Sequence, residues 1–380
     1  MRFFSIFLMV ILIAGCKKET KVAFSGNITG LKNGVFTIKT TSDSTIFGEN
    51  IKDGKFSIPP HRLMHPGYYK LNITSADQSD DHSPFEVYLE DGNYTIEAKA
   101  TELYKYPKII STSEKQQQLS DFYTLSDSLG ATAHQEVKRI KAKMDKDYSS
   151  LSREEYNSLM AKFQENMDKL NNLDAVVLKR FLKKYPNSEI SAHLLAKINY
   201  EDDPENYYAI FKQLAPAAQQ SEDGQEVGEN LANLMKTATG KKIPAPEGNT
   251  PDGRPFDAAS IHKKLIVIDF WKAANELSRT NHDQIKSLLA QPEVGKNVAF
   301  ISVSLDSKED WWQTALHDDH LNWIQVSDLK GNDSPNASNY NITEIPTYFI
   351  VDGNWKVVVP RVPLKNIGFE ITDYLKKHPN

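Results

Sequence analysis

Between residues 24 and 100, apolar and polar positions alternate in short runs. Phe36 and Ile38 share one side of such a run, as do Phe56 and Ile58, then Tyr69, Leu71 and Ile73, then Phe85, Val87 and Leu89. A period of two marks strands with one buried face. Asn33-Gly34, Asp53-Gly54 and Asp91-Gly92 lie between these runs or at their ends. Such pairs accept positive φ at little cost, so they predict tight hairpins and an antiparallel β-sandwich or barrel over 24–111. From residue 112 the period changes. Val137, Ile140, Met144 and Tyr148 recur at helical spacing, as do Tyr156, Leu159, Phe163, Met167 and Leu170, with charge on the other positions. These stripes predict a helical region over 112–238 and read as core packing. Tyr185-Pro186-Asn187-Ser188 and Asp202-Asp203-Pro204 predict a stop and restart each, with Ser188 a candidate N-cap. The segment 239–247, TGKKIPAPE, reads as a stiff linker. After it, apolar strand runs at 264–271, 298–305, 348–351 and 355–359 alternate with helical patterns from about 278, at 310–319 and at 364–377, and 322–341 reads as a loop. That alternation predicts an α/β domain over 239–380 and a multidomain α+β chain.

The stretch 265–279, LIVIDFWKAANELSR, runs from a buried strand into a loop and a helix. It resembles the thioredoxin-fold signature, a strand ending V-D-F-W-A followed by W-C-x-x-C at a helix N-terminus. Asp269, Phe270 and Trp271 match that signature. Asn275 and Ser278 stand at the two cysteine positions, with Glu276 and Leu277 between them, and Ala274 replaces the tryptophan. The residues around Pro251-Asp252-Gly253 resemble the entry hairpin of membrane-anchored thioredoxins of the TlpA/ResA type and the related alkyl hydroperoxide reductases. The order of elements after it matches as well. Upstream, G-x-I-x-G-L from Gly26, D-G-K-F from Asp53 and F-x-V-Y-L-E-D-G from Phe85 resemble an uncharacterised domain that precedes such modules in envelope lipoproteins. That second resemblance implies a fold and no catalytic residues.

Thioredoxin chemistry needs a thiolate with a lowered pKa and a second thiol to resolve the mixed disulfide. Neither Asn275 nor Ser278 supplies one, and peroxidatic chemistry fails for the same reason. No catalytic residue, cofactor or metal is expected, although a thiol-disulfide oxidoreductase is what the family resemblance alone would imply. Asp269 matches the buried acid that serves the resolving cysteine in thioredoxins; here it reads as a structural carboxyl. Ile345-Pro346 matches the cis-proline loop that pairs through its backbone with an extended substrate peptide. That role needs no thiol, so Trp271, Asn275, Glu276, Ile345 and Pro346 are the expected peptide-binding groove. Ser278, His282 and Asp283 can be drawn as a hydrolase group, but capping by Ser278 and a solvated helix face is the expected role. His317-Asp318-Asp319-His320 is expected to be a solvated helix end and not a metal site. Asp43-Ser44-Thr45 and Asp127-Ser128-Leu129 resemble bacterial O-glycosylation sites.

The chain's address comes from residues 1–16. Arg2 precedes an apolar run, Phe3 to Ala14, that is too short to span a bilayer. Ile13-Ala14-Gly15-Cys16 resembles a lipobox and holds the chain's single cysteine. The expected organisation is a signal peptide over 1–15, lipidation at Cys16, and a tether over 16–23 that anchors the protein to the membrane. Lys17 after the cysteine resembles outer-membrane sorting, giving a periplasm-facing lipoprotein of the cell envelope. The remaining composition is ordinary for globular domains, with 39% hydrophobic and 25% charged residues. Net charge is −5 without a basic stripe, so nucleic acid is excluded as a partner. A peptide or envelope protein is the partner expected, with an envelope scaffold as the alternative.

Overall fold

The computed structural model describes residues 20–76, 84–147, 150–201 and 203–379. Cys16 and Tyr148 lie outside the described residues. Strands β1 (Thr20–Thr29), β2 (Asn33–Lys39), β3 (Thr45–Lys52), β4 (Lys55–Leu63), β5 (Gly67–Ser75), β6 (Phe85–Leu89), β7 (Gly92–Lys99) and β8 (Lys108–Ile110) precede seven α-helices among the described residues. These are α1 (Glu114–Asp147), α2 (Arg153–Asn171), α3 (Leu173–Lys184), α4 (Ser191–Ala196), α5 (Pro204–Phe211), α6 (Pro216–Gln219) and α7 (Glu222–Lys236). The chain divides into two compact units. One holds the strands with α1–α4 and α6, the other holds α5 and α7 with everything that follows.

In the first unit the strands form one sheet ordered β6-β5-β2-β3-β4-β1-β7-β8. The expected β-domain is therefore mixed: β1 and β7 run parallel, while the other neighbours are antiparallel. The alternating residues supply its core. Phe36, Ile38, Leu71 and Ile73 are fully buried, and the Phe24 ring centroid lies 5.3 Å from Phe36 and 5.4 Å from Tyr94. Asp53 and Gly54 both take positive φ, 47° and 76°, and make the tight β3–β4 turn. Asn33-Gly34 does not turn. It opens β2, where a Cβ on Gly34 would sit 2.3 Å from the Thr74 carbonyl oxygen, so the glycine serves close approach to β5. Helix α1 packs against both edge strands, β6 and β8. Its buried Gln116 accepts the Tyr88 N–H at 2.7 Å and donates to the Tyr106 hydroxyl at 3.1 Å. Tyr106 in turn donates to the Glu86 carbonyl at 2.8 Å, so side chains satisfy an edge that would otherwise invite another strand.

Ser152 and Glu155 form a capping box at the start of α2. Helix α3 stops before Tyr185-Pro186 as expected, but Ser188 does not cap: its hydroxyl donates to Gln118 at 2.6 Å. Asp203 caps α5, accepting the Asn206 N–H at 3.3 Å. No helix among the described residues is long and apolar enough to cross a membrane.

The second unit adds β9 (Leu265–Trp271), α8 (Glu276–Leu289), α9 (Pro292–Asn297), β10 (Val298–Ser304), α10 (Glu309–Asp318), β11 (Ile324–Ser327), α11 (Pro335–Asn339), β12 (Thr347–Asp352), β13 (Val357–Val359) and α12 (Leu364–Lys377). Its sheet runs β11-β10-β9-β12-β13, parallel through β11, β10 and β9 and antiparallel beyond. Every residue of β9 is buried, which explains its unbroken apolar lettering. The expected loop over 322–341 contains β11 and α11, a strand and helix too short to print a period on the sequence. Residues 239–247 do not behave as a linker. Ile243 is 3% exposed in the core, with backbone bonds from Gly240 to Val357 and from Ile243 to Trp355. Farther along, the Tyr340 hydroxyl donates to the Pro244 carbonyl at 2.7 Å, and Asn336 exchanges two hydrogen bonds with the Glu247 backbone. Asn249 then pairs with Ser327 on the opposite edge strand. The segment is a strap from one sheet edge to the other, held by these bonds and by the burial of Ile243 and Pro246.

Candidate functional site

The loop leaving β9 is fixed before α8 begins. The Asp306 carboxylate accepts the Ala273 N–H at 2.9 and 3.2 Å, and the Lys272 ammonium donates to Asn332 at 2.7 Å. Asn275 is the N-cap of α8, its Oδ1 accepting the Ser278 N–H at 2.8 Å. The helix therefore starts at Glu276, earlier than the apolar pattern showed. From the same side chain, Nδ2 donates to the Ile345 carbonyl at 3.3 Å. This contact brings the two halves of the expected groove together. The Ile345–Pro346 peptide is cis, and the Thr347 hydroxyl donates to the Glu344 carbonyl at 2.7 Å, closing the turn into β12. Ile345, Pro346 and Asn275 are half-buried, while Ala274, Glu276, Leu277 and Glu344 are exposed around them.

Trp271 lies elsewhere than expected. It is fully buried, packed with Trp312, Ala315 and Leu316, and its ring meets His282 edge-on at 4.8 Å between centroids. It underlies the groove and offers no exposed wall, because α8 and α10 cover the end of β9. Ser278 is 1% exposed and its hydroxyl has no hydrogen-bond partner among the described residues. It is neither an N-cap nor an accessible nucleophile.

Beneath the helix lies a layer of polar side chains. Asp269 is fully enclosed; its Oδ2 accepts the Ser302 hydroxyl at 2.8 Å, and Oδ1 has no partner among the described residues. Burial pushes its carboxyl up to about 7, against the opposing pull of the Ser302 hydrogen bond. The Trp323 indole donates to the same Ser302 hydroxyl at 2.9 Å. Across the sheet, Tyr348 stands beside Asp269 and receives a hydrogen bond from Asn281 at 2.9 Å.

A second cluster was not legible in the sequence as a unit. Asp319 accepts from Arg279 through both oxygens, one bond being 2.6 Å, and from His282 Nδ1 at 2.7 Å. Burial raises the Asp319 carboxyl, but Arg279 and His282 outweigh it and hold it below the ordinary range. His282 moves down because burial dominates over Asp319, which leaves a neutral imidazole donating through Nδ1. The hydrogen-bond partner of His282 is thus Asp319, which follows α10 and also takes Arg279 of α8, and not the adjacent Asp283 or the unpaired Ser278 hydroxyl. Asp319 is spent on this clamp; His317 and His320 are exposed, their rings 6.3 Å apart. No group of three metal-ligating side chains occurs among the described residues. Arg361, after β13, donates to the Asn341 carbonyl at 2.8 Å and fixes the start of the loop that leads to Pro346.

An open sheet with parallel β9–β11, an antiparallel β12–β13 hairpin, a helix starting at the end of β9 and a cis-proline facing that start together define a thioredoxin-like domain. Residues 263–357 match the thioredoxin-like family. Solved structures similar to this chain include a thiol-disulfide oxidoreductase from Bacteroides fragilis NCTC 9343, at 25% identity over 36% of this chain and 98% of that one, with a TM-score of 0.32. The thioredoxin domain of a thiol-disulfide oxidoreductase from Bacteroides vulgatus is 24% identical over 38% of this chain and 99% of its own, with a TM-score of 0.33. A thioredoxin-like protein from Bacteroides caccae ATCC 43185 covers more, 61% of this chain and 86% of its own, at 14% identity and a TM-score of 0.45. No curated protein matches the chain.

Proposed function

We propose that the chain is a membrane-anchored envelope lipoprotein whose thioredoxin-like domain binds an extended peptide or protein segment without redox chemistry. One observation carries this reading: the α8 N-terminus and the Ile345-Pro346 loop meet at Asn275, so the groove persists where no thiol does. Asn275 and Ser278 can neither form a mixed disulfide nor resolve one, which separates this domain from the oxidoreductases it is similar to. Backbone pairing along Ile345 would hold an extended ligand, and Leu277 offers it an apolar contact. Such pairing is weak, about 1 kcal/mol per hydrogen bond, so anchoring through Cys16 would raise the effective concentration at a periplasm-facing outer membrane. Capture from envelope extract tests the reading, using the natural chain and Leu277→Asp, a substitution at a 58% exposed position that leaves the core untouched. Recovery of a specific partner is expected with the first and not the second. The Cys16→Ala form is expected to be released or mislocalised in the same experiment, and an unacylated mature N-terminus at another residue of the natural chain, found by mass spectrometry, contradicts the anchor.

A further inference from the structure

We infer that Asn275 is an internal latch on the groove, its side-chain amide occupying the Ile345 carbonyl that an incoming extended segment would use. This rests on the peptide-binding reading above and adds how that site is regulated. The orientation of the amide is forced. Ser278 presents an N–H and Ile345 a carbonyl, so Oδ1 must face the first and Nδ2 the second, and a flipped amide would satisfy neither.

The two ends are unequal. The cap at 2.8 Å anchors the side chain to the first turn of α8, while the bridge at 3.3 Å is the longer bond and gives way first. A ligand amide that pairs with Ile345 therefore competes with a group already held in place, whose local concentration no ligand matches. The carbonyl has two lone pairs, so the latch weakens capture without abolishing it. The residue type is specific to this role. Serine or aspartate at 275 keeps an N-cap acceptor for Ser278, but serine is too short to span to Ile345 and aspartate has no N–H to give.

The test uses Asn275→Ser and Asn275→Asp beside the natural chain, with permanently unfolded, carboxymethylated α-lactalbumin as an extended probe without free thiols. Loss of one neutral hydrogen bond is worth about fivefold, so both variants are expected to bind the probe about fivefold more tightly. Equal or weaker binding by both variants, with the natural chain binding, overturns the latch and leaves the groove reading standing. Binding by none of the three contradicts the groove reading and removes the latch's role with it. A readout on the protein alone separates the cases further. The Asn275 side-chain ¹⁵N resonances are expected to show slowed proton exchange at one hydrogen, and exchange at the rate of a solvated amide for both would overturn the latch independently of any ligand.

Discussion

The two faces of the five-stranded sheet are built on different terms. On one, Ile266, Ile268, Phe270, Ile301, Val303, Phe349 and Val351 form an apolar layer sealed by Ile243 of the strap. The other begins the same way, with Leu265, Val267, Phe300 and Ile350 under Ile285, Ile367 and Ile371 of α8 and α12. It then turns polar one row before the groove. Tyr348, Asp269, Ser302 and Gln325 stand in register across four strands, all buried. Both amide atoms of Gln325 and one oxygen of Asp269 lack partners among the described residues. Such atoms cost stability; Gln325 comes from β11, while β9, which carries Asp269, supplies the apolar face too. The cost is thus local to the layer beneath Asn275 and the start of α8.

This contrast predicts opposite responses from neighbouring residues. Phe270→Ala on the apolar face removes a fully buried ring and should destabilise the domain by about 3–5 kcal/mol at every pH, measured by urea unfolding. Asp269→Asn on the polar face should instead stabilise it. The unfolded carboxyl ionises near its ordinary value of 3.8 and the folded one near 7, so folding is penalised as pH rises between them and the penalty is constant above. The substitution removes that penalty: no gain is expected near pH 3, and a gain of up to about 4 kcal/mol at pH 8, the ceiling set by roughly three pKa units. A pH-independent effect would mean that Asp269 is ionised in the folded chain.

Much of this was legible in the sequence, for physical reasons that differ by region. The period-two runs named the core of the β-sheet correctly because each strand buries one face. The strand-to-helix stretch at 265–279 was legible because β9 is buried on both faces and so reads as an apolar run closed by Asp269. The parallel β1–β7 pair was not, since alternation records which face is buried and not which strand lies alongside. The strap reads as a linker because its prolines are conspicuous, while the backbone bonds that tie it down leave no mark on the sequence beyond the apolar Ile243. Within the site, Asn275 and Pro346 were found through the motif, but the Arg279–Asp319–His282 clamp joins residues about forty positions apart and leaves no local pattern. Trp271 reads as groove wall because its neighbours line it; only the packing of α8 and α10 shows that it is covered.

Hydrogen–deuterium exchange of the full-length Cys16→Ser chain, with and without carboxymethylated α-lactalbumin, tests most directly whether the groove binds without a thiol. Peptides spanning 272–279 and 342–348 should gain protection on addition of the probe, equally under reducing and oxidising conditions, while those of the eight-stranded sheet stay unchanged. No added protection at those two segments, or protection that requires a disulfide-forming condition, would contradict it.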